Sequence, residues 1–534
     1  MCKKQVARDG HWYVKAGLVA ALLAAPSITW AQPQPQPKEE EDELSEPSSG
    51  EEGSDSAAQP EADEPPDTPQ ASVQTAPPLA PPVAPAAPPP SPFTFVLKGM
   101  IASTLFMQDV PFASGNGGGG IFSPTTLITD KWLLGGDIRQ SRLTFTMKGP
   151  EVLGGATPTG VMELDLGGGN QITTVPGANA AVTIRDAMGT VLGTGAAPTF
   201  TGSAYGDESL LPRVRVAYVE LNWGAGTDIL RVGQFHNLLL PMIAASASHT
   251  GTPLGYGAGQ LGWRSPGITY LHRFAVTEDI NFDIGLQINR NSWIDNFAPC
   301  APNMGPPTVP NCLPSGVSLG EASMLPQVEA RVMLSGGKAP SPWPLYAPNV
   351  WQIYAVGHWD QKDLSGIGAT APVPALGAVA ARDTMTTAVG EFGFKLHVGP
   401  VLVAANGYAG QNSGNVYGNI LQLQLPNMPD VSGLGGWGQL GVELTSHLSL
   451  WAFGGIDKVD QEQARLAGLT RVQNVQISGM FSYVEGPLII ALEYLYISTD
   501  NLVTTPPVAP AVAPTVSKVN ADGSQIALTL AYMF

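Results

Sequence analysis

Charge is scarce in this chain: Asp, Glu, Lys and Arg make up 13% of its 534 residues. Ordinary soluble domains carry about 25%, so a uniformly water-bathed surface is excluded. Cysteine is nearly absent, at three residues, which rules out a disulfide-dense scaffold or a multi-cysteine zinc fold. A basic excess is missing too. The formal net charge of −18 leaves no cationic footprint for a nucleic acid. No stretch reaches 18 uninterrupted apolar residues, so no segment reads as a transmembrane helix.

Catalytic signatures are equally lacking. There is no G-x-S-x-G elbow, H-E-x-x-H helix, P-loop or C-x-x-C pair, and the seven His stand singly. His358, near Asp360 and Asp363, is the closest approach to a catalytic rim, and it reads as ordinary polar wall. No enzymatic activity, metal or cofactor is expected.

Chain breakers are abundant, with 62 Gly and 49 Pro. The N-terminus has a positive head (Lys3, Lys4, Arg8, Lys15), an apolar run from Ala16 to Ala25, and small residues Thr29 and Ala31 before Gln32. Residues 1–31 therefore read as an export signal. Residues 32–92 hold thirteen acids against one lysine and close on PPLAPPVAPAAPPPSP. Such a segment buries too little apolar area to fold and should be a disordered periplasmic spacer, up to about 190 Å if fully extended. Cys300 and Cys312 close a Pro-rich stretch with no His or acid between them, which favours a disulfide over a metal clip in an oxidising compartment.

From Phe93 onward the hydrophobic period is two. In Ile280–Asn289, Phe282, Ile284, Leu286 and Ile288 alternate with Asn281, Asp283, Gly285 and Gln287. Sixteen strands are expected, near 94–107, 138–149, 159–167, 212–223, 229–236, 266–276, 279–290 and 324–335. The second eight lie near 350–360, 384–398, 401–411, 436–445, 448–457, 471–484, 487–499 and 520–534. Connections alternate between long and short, the pattern of an antiparallel transmembrane β-barrel with long outer loops. Residues 93–534 are thus read as an all-β outer-membrane barrel of about 16 strands. The last strand alternates Ile526, Leu528, Leu530, Tyr532 and Phe534 with small or polar residues, as the assembly signal read by the barrel assembly machinery does. Trp223, Trp263, Trp293, Trp351, Trp359 and Trp437 are expected in interfacial girdles.

Several stretches resemble the 16-stranded bacterial porins, including the phosphate-selective and DcaP-like groups. They are Asp137–Arg142, Gly160–Asp165, Arg213–Tyr218, Arg231–Gln234, Gly436–Gly441, Gly454–Asp457, Leu492–Tyr494 and Phe534. The resemblance implies passive diffusion of small hydrophilic solutes through an outer-membrane homotrimer embedded in lipid, with the third loop folded inward to narrow the pore. The DcaP-like coiled-coil extension is not matched, because the Pro-rich 32–92 cannot form one.

Inward parity assigns Arg142, Arg213, Arg215, Arg231, Arg273, Arg331, Glu163 and Asp165 to the lumen, with Lys98, Lys148, Lys395, Asp283, Glu329, Glu391, Glu443 and Glu493. Arg264 joins the arginines of strands two, four and six. So many charges would be costly in a dry core, so a water-filled interior is expected. The third long loop, Asn237 to Ser265, carries no acid. An arginine arc facing that loop favours anions. The competing reading is a plugged structural or adhesive barrel that conducts nothing. On strand four the parity conflicts, since Val214, Val216 and Tyr218 are followed by Glu220 on the same nominal outer face.

Overall fold

A computed structural model describes residues 93–110, 112, 124, 132–168, 181–185, 191–196, 211–291, 323–337, 349–363, 384–422, 429–505 and 515–534. Sixteen staves close into one antiparallel barrel. The first half comprises β1 (Thr94–Gln108), β2 (Leu133–Asp137 continuing as Arg142–Lys148), β3 (Thr157–Gly168), β4 (Leu211–Trp223), β5 (Asp228–His236), β6 (Arg264–Ala275), β7 (Ile280–Asn289) and β8 (Gln327–Gly336). The second half comprises β9 (Trp351–Asp363), β10 (Thr384–Val398), β11 (Val401–Gln411), β12 (Ser432–Glu443), β13 (Leu448–Val459), β14 (Arg471–Glu485), β15 (Leu488–Thr505) and β16 (Thr515–Met533). Each strand pairs with its sequence neighbour. Closure comes from β1 on β16, in register from Met100↔Met533 to Gln108↔Gln525. Phe534 completes the seam: its N–H donates to Gly99 O at 3.0 Å and its carbonyl accepts from Gly99 N at 2.8 Å. Closure removes every unpaired strand edge, which a lipid environment demands.

Burial is inverted relative to a soluble protein. Phe95 (72% exposed) and Leu134 (77%) point outward with Ile101, Leu286 and Leu530, while Gln287, Glu329, Gln439, Gln476 and Thr529 are buried inside. The two-residue alternation of each strand produces both faces at once.

Two local features depart from the sequence expectation. Strand two starts earlier, at Leu133, and breaks at 138–141, where Asp137 Oδ1 accepts the Arg139 N–H at 2.7 Å. Both of its segments pair with β1. The connection from β3 to β4 also contains a hairpin, Ala181–Arg185 with Val191–Ala196, that the sequence did not announce.

The β4 conflict has a geometric answer. Glu163 pairs with Val216, yet the adjacent Leu164 pairs with Val214, so Arg215 is an extra residue in a β-bulge. A bulge flips the facing of everything beyond it. Arg213 and Arg215 therefore face the lumen before the bulge, and Tyr218 and Glu220 face it afterwards. Val214 and Val219 remain exposed to the outside. Gln234 spans the irregularity from β5, donating through Nε2 to Val214 O (3.3 Å) and Arg215 O (2.9 Å).

The tryptophan expectation is corrected at two positions. Trp437 is buried on the inward face of β12, 6.0 Å from the Phe453 ring, and Trp263 stacks inside on Tyr417. Trp293, Cys300 and Cys312 lie outside the described residues.

Candidate functional site: a loop strung across the lumen

The third long connection, 237–263 (loop 3), does not leave the barrel. Asn237, Leu239, Ala245, Ser248, Tyr256 and Leu261 in it are all buried. Its path is fixed by side chains reaching in from the wall. Near β5 and β8, Glu329 accepts from Asn237 Nδ2 (2.9 Å) and Leu239 N (3.2 Å), and Gln287 of β7 accepts from Leu238 N (2.8 Å). On the far side, Gln439 of β12 makes two bonds to the Ala245 backbone, at 2.7 and 2.8 Å. Glu493 of β15 accepts from Ser246 Oγ (2.8 Å), Ser248 N (3.2 Å) and Ser248 Oγ (2.7 Å). The loop then returns past β2, where Gln140 accepts from Thr250 Oγ1 (2.8 Å) and from Gly251 N. On its way back to β6 it meets β14, where Gln476 accepts from Gly255 N (2.8 Å) and Asn474 donates to Gly257 O (2.8 Å). Gly259 presses so close to the Gly436 backbone that a Cβ there would collide. A loop without helix or ladder must satisfy its buried backbone somewhere, and here the wall amides do it.

The arginines gather where the loop passes β2–β4. Arg213 is bidentate to Asp165, Nε–Oδ1 3.0 Å and Nη2–Oδ2 2.7 Å. Arg215 reaches Glu163 Oε1 at 2.6 Å and Asp165 Oδ2 at 2.8 Å, and donates to Gly251 O of loop 3 at 3.1 Å. Arg142 lies 4.0 Å from Glu163 and donates to Thr250 O. Arg264 lies over the Trp263 ring at 4.0 Å with no carboxylate beside it among the described residues, and its Nη1 is unpartnered. Three guanidiniums thus share two carboxylates and Arg264 adds a fourth, a formal surplus of two positive charges. Arg213 is the most exposed arginine of this cluster, at 36% of its side chain.

The other assigned residues are dispersed. Arg231 pairs with Glu220 (2.6 Å) and lies 4.5 Å over the Tyr218 ring; Arg273 pairs with Asp283 (2.8 Å). Arg331 sits inward on β8, opposite Gly285 and Val356. Below loop 3, Lys98, Arg142 and Thr144 share a cavity of about 260 Å³ with Ala247, Thr250, Ile489, Ala531 and Met533.

Part of the interior is closely packed. Arg215, Asp165, Glu329, Glu391, Lys395 and Glu493 are all buried. Loop 3 and the described residues 412–422 and 429–431 of the connection between β11 and β12 (loop 6) occupy the lumen at their level. His358, far from a free rim base, is held between Glu329 (3.0 Å) and Asp360 (2.9 Å), with Lys362 behind at 3.3 Å. That network braces the root of loop 3.

The anchoring amides Gln140, Gln287, Gln439 and Gln476, and the carboxylate Asp457, were not singled out from sequence. Their inward parity was readable, but parity alone does not say which polar residue meets a loop. Among the described residues no group of three His, Cys, Asp or Glu is placed to hold a metal ion.

No protein-family model matches the chain, and no curated protein is similar to it in sequence. Solved structures do match. The outer membrane channel DcaP of Acinetobacter baumannii aligns over 84% of this chain and 99% of its own, at 14% identity and a TM-score of 0.50. An anion-selective porin from Comamonas acidovorans aligns over 83% and 100%, at 11% identity and 0.46. Salmonella typhi OmpF, in complex with daunomycin, aligns over 82% and 97%, at 11% identity and 0.42. At these identities the likeness is one of fold: the chain has the architecture of the 16-stranded outer-membrane porins.

Proposed function

We propose that the chain is an outer-membrane porin for passive diffusion of small hydrophilic solutes, with a preference for anions, and not an enzyme. The observation that carries this reading is the surplus of guanidinium over carboxylate where acid-free loop 3 crosses the lumen. Fixed charges in a narrow, low-dielectric passage raise the local concentration of the opposite ion. The likeness to an outer membrane channel supports the location and the channel class. Export by residues 1–31, a periplasmic spacer over 32–92, a homotrimer in lipid, a Cys300–Cys312 disulfide and recognition of Phe534 by the assembly machinery complete the proposal.

The test is planar-bilayer recording in a salt gradient. A reversal potential of the sign for anion permeation is expected, and cation-selective current rejects the preference. One observation favours a second reading, a closed structural barrel: loops 3 and 6 are both buried in the lumen. Absence of current at every voltage selects it.

A further inference from the structure

Among the described residues, loop 6 has the densest run of left-handed non-glycine backbone. Five non-glycine residues within ten positions have positive φ: Asn412 (56°), Tyr417 (71°), Asn419 (49°), Ile420 (56°) and Leu421 (57°). Asn adopts this region readily, but a β-branched Ile does not. Such conformations are costly and persist only when their surroundings over-determine them.

The surroundings here do so. Asn412 donates to Thr386 O (2.8 Å) and Asp430 Oδ1 (2.7 Å) while accepting from Val431 N (2.9 Å). Ser413 Oγ donates to Asn419 Oδ1 at 2.7 Å. Beneath them, Asp457 of β13 is fully buried and accepts from Ile420 N (3.0 Å) and Tyr408 OH (2.8 Å). Held in this way, loop 6 grips the return limb of loop 3. Val416 O accepts from Gly262 N at 2.9 Å, Tyr417 stacks on Trp263 (centroids 5.1 Å), and Tyr417 also contacts Tyr256 (5.3 Å).

We propose that loop 6 is a strap that sets the aperture of the pore by holding loop 3 down, with Asp457 and Tyr417 as its positioning residues. Among the described contacts the strap meets loop 3 at the return limb, whose backbone Gln476 and Asn474 of the wall hydrogen-bond. Releasing it lets that limb lift together with Trp263 and the Arg264 above it, while Arg142 and Arg215 stay tied to the segment around Thr250 and Gly251. The aperture can therefore change while the salt-bridged arginines keep the sign of the selectivity.

The inference rests on the porin reading, and its test keeps the two apart. Tyr417→Ala removes the stack, Tyr417→Phe keeps it, and Asp457→Asn places an amide where Ile420 N needs an acceptor. Each full-length variant is checked for a folded, heat-modifiable barrel, then assayed by liposome swelling with neutral sugars of increasing size and by single-channel recording. The expected result is a larger exclusion limit and higher unit conductance for Tyr417→Ala and Asp457→Asn, wild-type values for Tyr417→Phe, and a reversal potential that keeps the wild-type sign throughout. A folded Tyr417→Ala barrel with the wild-type exclusion limit overturns the strap. If Asp457→Asn fails to fold, the Tyr417 pair alone decides. Current in Tyr417→Ala but none in the wild type upholds the strap and removes the open-porin reading; current in neither removes both.

Discussion

The wall of β2–β4 and the wall of β12–β15 hold the same loop by opposite means. On the first, guanidiniums and carboxylates interlock, and the loop contributes only carbonyls to them: Thr250 O to Arg142 and Gly251 O to Arg215. On the second, wall amides take the loop backbone directly, and the one carboxylate that meets loop 3 there, Glu493, is satisfied by serine hydroxyls and one N–H among the described contacts. The first wall carries surplus positive charge and the second a carboxylate without a cation partner in the described contacts. The loop between them is held in a transverse field. A neutral network is cheap to bury when complete, whereas an ion-pair network fixes charge where permeating ions pass.

The sharpest way to break the comparison is to strip one partner from each network. Arg215→Leu leaves Glu163 and Asp165 facing each other with only Arg213 and the distant Arg142 to compensate. Breaking a buried pair in this way costs about 3–5 kcal/mol. The unfolding midpoint of the refolded barrel in urea should fall accordingly, and an unchanged midpoint shows that water solvates the site. On the opposite wall, Glu493→Gln keeps a carbonyl acceptor but replaces one oxygen with a donor that faces Ser248. Losing or misdirecting hydrogen bonds to a charged buried acceptor is worth about 1.5–3 kcal/mol, so the midpoint should drop by less than in Arg215→Leu. The same change removes a negative charge, so the reversal potential should move further toward anions.

Arg213→Gln sharpens the comparison without breaking it. This side chain is partly exposed and Arg215 still holds Asp165. Stability should change little, while reversal potential at low salt should shift toward cations. The shift should fade near 1 M salt, where the Debye length is about 3 Å. A potential that stays fixed at low salt places the selectivity filter elsewhere.

The staves themselves were legible in the sequence because lipid outside and polar lumen inside write a period of two into every strand. Sixteen strands were expected and sixteen staves form, strand two with an earlier start and a break at 138–141. The inward path of loop 3 came from the porin resemblance, with nothing in its own residues to demand it. What stayed hidden depends on contacts between distant segments. The bulge at Arg215 surfaced only as a parity conflict, because one extra residue leaves no composition signal. Loop 6 is Asn- and Gly-rich, as left-handed backbone requires, but that fits an exterior turn equally well. Trp437 had the look of a girdle residue, and only its parity on β12, odd and inward, argues otherwise. The His358 network likewise needs β8 to pair with β9 before Glu329 joins Asp360 and Lys362 around one imidazole.

The smallest effect concerns His249, which sits in loop 3 between the two walls. Its Nδ1 lies 2.7 Å from Ser248 Oγ, while Nε2 is buried with no partner. Burial holds its pKa below the usual 6.5, against a weaker upward pull from Glu493 and Asp137. The neutral ring is therefore the folded form. An unfolded chain binds a proton at this residue near pH 6.5, the folded barrel only at lower pH, so the unfolded state carries more protons in that window. Stability is then fully present above about pH 6.5 and declines as pH falls from there toward the depressed folded value. His249→Gln removes the titrating group while keeping polarity and approximate size. The difference in urea midpoint between wild type and variant should shrink or reverse in the variant's favour from pH 7.5 to pH 5.5. Because the ring touches Ser248, which hydrogen-bonds Glu493, an acid-induced loosening should appear first as noise in single-channel records. The arginines, charged throughout this range, should keep the sign of the selectivity unchanged. A wild-type midpoint that falls no faster than the variant's over that pH range would mean that water reaches Nε2 and that loop 3 is less tightly seated on the amide wall than on the arginine wall.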